Sequence, residues 1–300
     1  MTVIDEYKNY IAGLAGGKTS LTVVLDMGNG TTCGVAPELY RALGYNVIEL
    51  YGTPDGTFPN RNPNPANFEN IKALCANVVE NHADFGVAFD GDGDRAVFVD
   101  NLGRPLINEK ALIILYGSIS RRLGAGSVVY DQKCSRIVKD TIEKMGGTAI
   151  LERSGHAFIK RCFIKNNSVL AGEISGHFFF RELGHDDGMY AGIRLGQCIA
   201  ESGRTLAQLA DEIPDPFVSP DLRYKVPYDR MDGILEAIKK DYSDERFSIS
   251  TYDGVRVETK QWWFLVRRSV TEQAMTVKIE ADSCEMLEKI KDELVSKYFK

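Results

Sequence analysis

One pattern occurs twice in the first two-thirds of this chain. Leu21-Thr22-Val23-Val24-Leu25-Asp26 is a short apolar run ending in an aspartate; a helical segment, 35–43, follows and stops at Gly44, and a second short run occupies 46–51. Ser127-Val128-Val129-Tyr130-Asp131 repeats the first run, 137–145 repeats the helix and stops at Gly146-Gly147, and 148–151 repeats the returning strand. Runs this short and this apolar read as buried strands, and the glycines mark helix ends. Strands alternating with helices of this size require right-handed crossovers and a mostly parallel sheet. The repeat therefore predicts an α/β protein with two related three-layer αβα domains on mixed, largely parallel sheets.

The pattern breaks at Ile213-Pro214-Asp215-Pro216. Beyond it, segments 248–252, 262–267 and 276–281 read as strands, and a final helix, 284–298, has Met286, Leu287, Ile290, Leu294 and Val295 roughly on one face. These predict a smaller C-terminal α+β domain. The expected divisions are 1–102, 103–213 and 214–300.

Each copy of the repeat closes with a strand and a polar loop, where ligands of α/β sheets gather. The first loop is Asp90-Gly91-Asp92-Gly93-Asp94-Arg95, between the apolar runs 85–89 and 96–99. Three alternating carboxylates repel one another unless a cation sits among them, and the glycines let the backbone turn all three toward one point. A hard divalent ion fits, Mg²⁺ when a phosphate supplies further oxygens. The loop is no EF-hand: counted from Asp90, the required Gly and Glu positions hold Arg95 and Asn101. A solvated acidic turn is the plain alternative.

The second loop is Gly172-Glu173-Ile174-Ser175-Gly176-His177. A related Ser154-Gly155-His156 follows the strand at 148–151, and Lys133 lies just past Asp131. Such groups hydrogen-bond sugar hydroxyls or move a proton. A lone histidine is usually structural, but His156, His177 and His185 are close in sequence and two share Ser-Gly-His, which predicts a common cleft. Arg267-Arg268-Ser269-Val270-Thr271-Glu272 combines guanidinium groups with hydroxyls, as a phosphate site or a polar hairpin would. The glycines of 26–30 lack a phosphate-loop pattern and read as a tight turn; Trp262 and Trp263 read as packing.

A net charge of -6 without a basic run gives no reason to expect nucleic acid. The six cysteines are scattered without a C-x-x-C pair, as in a reduced cytoplasmic protein. No signal peptide precedes Thr2, and no apolar run is long enough for a bilayer, so a membrane partner is not expected.

Together these motifs resemble the α-D-phosphohexomutases, the phosphomannomutase/phosphoglucomutase family, over nearly the whole chain. The resemblance implies Mg²⁺ on Asp90, Asp92 and Asp94, with Arg95 facing the transferring phosphoryl group. It assigns sugar selection to Glu173, Ser175 and His177, substrate contact to Ser154, Gly155 and His156, and proton transfer to Lys133; Arg95, Lys133 and His156 are the candidate catalytic residues. The family's R-P-S-[NG]-T-E-P phosphate clamp reads Arg267 to Gln273 here, which carries over Arg267, Ser269 and Thr271; Arg268, Val270 and Gln273 depart from it. The implied substrates are hexose phosphates of the mannose or glucose type.

The family's nucleophilic serine has no counterpart here, since no serine is followed by His-Asn-Pro. The resemblance thus begins at the family's second domain, and a separate N-terminal domain is a conceivable partner. These 300 residues alone are expected to be inactive as a mutase. Two other readings stand beside this one: a non-catalytic phosphosugar-binding protein, and a Mg²⁺-dependent phosphatase using an aspartate of the 90–94 loop.

Overall fold

In the computed structural model, which describes residues 2–269 and 272–300, the chain forms two compact units. The first comprises Met1–Ile150 and Gly155–Ile213; the second comprises Leu151–Ser154 and Pro214–Lys300.

The first unit opens with α1 (Val3–Ala15), capped by Thr2 and Asp5 in a reciprocal capping box. Then come β1 (Thr22–Asp26), α2 (Ala36–Ala42), β2 (Asn46–Leu50), α3 (Lys72–Glu80), β3 (Phe85–Phe89) and β4 (Ala96–Asp100). The second copy runs α4 (Asn108–Leu123), β5 (Ser127–Asp131), α5 (Ile137–Lys144), β6 (Thr148–Glu152), α6 (His156–Lys165), β7 (Leu170–Gly172), β8 (Phe178–Phe180) and β9 (His185–Asp186). Helices α7 (Gly188–Ser202) and α8 (Leu206–Asp211) follow.

The strand orders bear out the repeat: β2-β1-β3-β4 in the first sheet and β6-β5-β7-β8-β9 in the second. Strand β1 pairs parallel with β2 and β3, whereas β4 is antiparallel to β3; β5 and β7 are parallel, and β8 and β9 antiparallel. Both sheets are mixed, and antiparallel pairs take a larger share in the second than the repeat alone suggests.

Successive strand residues point to opposite faces, which fixes the layers. A Cβ on Gly86 would strike Leu74 and Val78 of α3, while its neighbour Val87 meets Gly192 of α7. In the second sheet, Ala171 packs with Ile159 and Phe163 of α6, while a Cβ on Gly172 would strike Leu112 of α4. Each sheet is thus covered on both sides, the αβα arrangement expected. Tyr40 and Tyr45 donate to the Met189 and Ile193 carbonyls of α7 at 2.9 and 3.0 Å, which ties the two copies into one unit.

The second unit contains β10 (Phe217–Val218), β11 (Leu222–Lys225), α9 (Tyr228–Asp241), β12 (Ser248–Ser250), β13 (Val255–Glu258), β14 (Trp262–Arg268), β15 (Ala274–Ala281) and α10 (Cys284–Tyr298). Its sheet, β10-β15-β14-β13-β12 with β11 also on β15, is antiparallel, as expected of an α+β fold. Met231, Ile234 and Ile238 of α9 and Leu287, Ile290 and Leu294 of α10 pack with Val257, Phe264 and Val277 in one core. Each such side chain contributes about 1.5–3 kcal/mol of burial. Trp263 is buried and Trp262 stacks on Phe264, so both tryptophans are packing residues. All six cysteines are free. Among the described residues no helix is long and apolar enough to cross a membrane.

Candidate active site

The two copies of the repeat each end their first strand in a buried aspartate with the same local task. Asp26 Oδ1 accepts from the Gly28 amide at 2.9 Å, and Asp131 Oδ1 from the Lys133 amide at 2.5 Å, each turning the chain sharply after the strand. The second oxygens reach further. Asp26 forms a buried ion pair with Arg61, whose Nη2 also donates to the Phe89 carbonyl beside the aspartate loop at 2.6 Å. Asp131 Oδ2 accepts from the Ile174 amide at 3.2 Å and so holds the Glu173–His177 loop.

The aspartate loop bends between β3 and β4. Gly93 has φ 83°, and a Cβ there would lie 2.4 Å from Thr32 Cγ2, so the position demands glycine. Oxygens of Asp90, Asp92 and Asp94 lie within 4.8 Å of one another, close enough to hold one metal ion. Asp90 is buried, Asp92 exposed and Asp94 half-buried. Asp90 Oδ1 accepts from the Gly93 and Arg95 amides, and Oδ2 accepts from Arg95 Nε at 2.7 Å. Oδ2, with one donor, keeps a second lone pair, so these bonds orient Asp90 without exhausting it. Arg95 also reaches Asn64 Oδ1 at 3.3 Å.

Backbone bonds join this loop to the second. Ala96 N donates to Gly176 O at 3.0 Å, Gly188 N to Gly93 O at 3.1 Å, and Arg95 and His177 form an antiparallel bridge. Gly176 has φ 102°, and a Cβ there would lie 2.8 Å from the Ala96 carbonyl. Within the second loop, Ser175 Oγ donates to Glu173 Oε2 at 2.9 Å, and His177 Nδ1 lies 2.9 Å from Ser175 Oγ and 3.1 Å from Glu173 Oε2. Glu173 Oε1 accepts from the Gly155 amide at 3.1 Å, which places the turn before α6 against the loop. Burial alone would raise Glu173 and lower His177, but their mutual hydrogen bond and attraction outweigh it. Glu173 is held below the usual carboxylate value and His177 above the usual imidazole value.

His156, the first residue of α6, stands edge-on to His177 with ring centroids 5.4 Å apart, and its Nε2 lies 3.0 Å from Asp186 Oδ1. His185 instead turns its Nδ1 to the Asp186 carbonyl at 2.7 Å. The fold therefore brings Asp90, Asp92, Asp94, Arg95, Gly155, His156, Glu173, Ser175 and His177 into one neighbourhood, with Lys133 in the turn that Asp131 links to it. Ser154 precedes Gly155 in the turn after β6. Asp186, Arg61, Asn64 and Asp131 were not singled out as site residues by the sequence; the strand-end position of Asp131 was the available signal.

The second unit holds the arginine segment at the end of β14. Arg267 Nη1 pairs with Asp253 and Arg268 Nη2 with Asp232. The Arg267 side chain is 13% exposed, and its buried Nε has no hydrogen-bond partner among the described residues. The Ser269 amide donates to the Ala274 carbonyl at 2.8 Å, and Glu272 pairs with Arg223. Thr271 and Val270 lie outside the described residues.

Residues 5–103 match the pattern of phosphoglucomutase/phosphomannomutase, alpha/beta/alpha domain II, and residues 108–217 that of domain III. The chain belongs to this family. It is 37% identical over 292 residues to a phosphomannomutase/phosphoglucomutase of Pseudomonas putida, across 97% of this chain and 63% of that protein. It is 34% identical to a phosphoglucomutase of Neisseria meningitidis across 97% of this chain and 64% of that one. A solved phosphoglucomutase/phosphomannomutase family protein from Burkholderia thailandensis superposes with a TM-score of 0.88 at 31% identity, covering 98% of this chain and 64% of the other. The chain thus spans less than two-thirds of the length of these relatives.

Proposed function

We propose that this chain is the metal-, sugar- and phosphate-binding portion of a phosphohexomutase that interconverts hexose 1-phosphate and hexose 6-phosphate through a bisphosphate. The observation that carries the reading is the joining of the aspartate loop to the Glu173–His177 loop by backbone hydrogen bonds, in a chain whose relatives are named for this activity. On this reading 1–102 is the metal-binding domain, 103–213 the sugar-binding domain and 214–300 the phosphate-clamp domain.

Asp90, Asp92 and Asp94 would hold Mg²⁺, which when bound neutralises charge on the phosphoryl group. Arg95, fixed by Asp90 and Asn64, directs its guanidinium toward that group. Glu173 and Ser175 accept and donate to sugar hydroxyls, and His177 completes the loop. His156 and Lys133 hold or move the hydroxyl proton, with Ser154 and Gly155 shaping the turn beside them. Arg267, Ser269 and Thr271 bind phosphate in the C-terminal domain.

Calorimetry tests the reading. Mg²⁺ should bind and stabilise the fold by about 2.7 kcal/mol at a hundredfold excess over Kd, which raises the thermal midpoint, and Asp92→Asn should weaken that response. A hexose 1-phosphate should bind in the presence of Mg²⁺, while a coupled assay on these 300 residues alone should give no mutase turnover. An unchanged Mg²⁺ response in Asp92→Asn, or no hexose phosphate binding by the wild type, would reject it.

A further inference from the structure

Beside the three aspartates of the loop lies a second set of converging ligand atoms. Oxygens of Asp94 and Asp186 and a ring nitrogen of His177 lie within 4.8 Å of one another. His177 Nε2 is 3.4 Å from Asp94 Oδ2 and 4.0 Å from Asp186 Oδ2. The Asp186 side chain is only 6% exposed, and its Oδ2 has no hydrogen-bond donor among the described residues. A buried carboxylate oxygen without a donor is costly, so its orientation toward His177 needs a positive partner.

The other face of His177 decides what Nε2 can offer. Ser175 spends its hydroxyl proton on Glu173, and an ionised Glu173 can only accept, so Nδ1 must carry the proton in that network. Neutral His177 then presents a bare Nε2 lone pair to two carboxylates. Carboxylate–histidine pairs of this kind orient imidazoles for metal ions and raise their basicity. A proton on Nε2 would serve the carboxylates poorly, at 3.4 and 4.0 Å, beyond good hydrogen-bond length. An ion about 2.0–2.2 Å from each ligand, at tetrahedral angles, sets ligand atoms about 3.4 Å apart. The His177–Asp94 separation matches that edge, the His177–Asp186 edge is longer by only about half an ångström, and the two carboxylates lie within 4.8 Å of each other.

We infer that Asp94, His177 and Asp186 form a second metal site, selective for a borderline ion such as Zn²⁺ over Mg²⁺, with Asp94 shared between it and the aspartate loop. The imidazole is what sets the preference, since Mg²⁺ prefers oxygen ligands and retains its waters. The site itself does not depend on the mutase reading. Given that reading, a bound ion would take His177 from the sugar while sharing Asp94 with Mg²⁺, which makes the site inhibitory.

The test is Zn²⁺ titration by calorimetry in saturating Mg²⁺, with Co²⁺ absorption as an independent report of coordination. One equivalent of Zn²⁺ should bind the wild type. Asp186→Asn should weaken it at least tenfold, His177→Ala should abolish it, and Glu173→Gln should weaken it 10- to 100-fold through the imidazole. Asp92→Asn should leave it in place. Equal Zn²⁺ affinity in wild type and His177→Ala would overturn the inference. So would Zn²⁺ binding lost in Asp92→Asn but kept in Asp186→Asn, because the ion would then merely replace Mg²⁺. No Zn²⁺ uptake by the wild type would mean that a proton alone serves Nε2. None of these outcomes bears on hexose phosphate binding, which is measured separately.

Discussion

The loop at the end of β3 and the end of β14 handle charge in opposite ways. In the first, Asp90, Asp92 and Asp94 gather with Arg95 as the arginine paired among them, and Glu173 and Asp186 add further carboxylates nearby. In the second, Arg267 and Arg268 each already hold a carboxylate, Asp253 and Asp232. On the proposed reading, excess negative charge fixed by backbone bonds awaits a cation from solution. On the same reading, the paired arginines take an anion that must compete with an internal one. The first region owes its shape to strands and glycines, whereas the second owes its charge state to side chains that a ligand can displace.

The largest expected effect tests whether the first region's shape is built from below. Arg61 and Asp26 form an ion pair with side chains 3% and 0% exposed, directly beneath the aspartate loop. Arg61→Ala leaves a buried carboxylate without its partner and should cost about 3–5 kcal/mol. The two units have separate reporters, which makes the test sharp. Cys33, Cys75, Cys134, Cys162 and Cys198 lie in the first unit, and Trp262 and Trp263 in the second; Cys284, also in the second, is exposed, so it labels in the folded state and is blocked beforehand. Burial pushes the Cys198 thiol up to about 11, so it should label late. The denaturation midpoint read by thiol labelling should fall in Arg61→Ala while the tryptophan midpoint holds. Equal falls would mean that the two units unfold together.

The ion pair also marks what the sequence could and could not convey. The αβα repeat was legible because the first strand of each copy is a contiguous apolar run and the helix after it stops at a glycine, Gly44 or Gly146, both local signals. The aspartate and Glu173–His177 loops were legible because their chemistry is contiguous in sequence. Arg61 comes from an irregular stretch between β2 and α3 without periodicity, so nothing local links it to Asp26. Asp186 was hidden for another reason: it adjoins Asp187, which caps α7 by accepting from the Tyr190 amide at 2.8 Å, and an acidic pair before a helix reads as capping. The arginine segment was legible as cationic, but its pairing with Asp253 and Asp232 depends on the register of β13 against β14 and on the seat of α9.

The next effect tests the other side of the comparison. Arg267→Ala should weaken hexose phosphate binding by about 1.5–3 kcal/mol, the value of a charge-assisted hydrogen bond. Asp253→Asn should strengthen binding, because it removes the carboxylate with which phosphate competes. Titration calorimetry with Mg²⁺ present reads both. If Asp253→Asn lowers the tryptophan midpoint and leaves affinity unchanged, the Arg267–Asp253 pair is structural and the contrast between the two regions fails.

The smallest effect concerns the pH response of the first unit. The folded value of His177 is raised from 6.5, so its contribution is complete below that pH and is lost as pH rises through the folded value. Glu173 is lowered from 4.5, so its contribution is present above that pH and is lost as pH falls through its folded value. Their joint support is therefore greatest between 4.5 and 6.5. In chelator, the first unit should lose stability as pH rises above 6.5, with a slope of at most about 1.4 kcal/mol per pH unit for one proton. Thiol labelling in a pulse at fixed pH, after equilibration in denaturant, separates this loss from the reagent's own pH dependence. His177→Gln should flatten the slope, since glutamine keeps a donor for Glu173 but takes up no proton. A slope as steep in His177→Gln as in the wild type would place the titrating group elsewhere and leave the Glu173–His177 pair without a part in the charge balance of the first region.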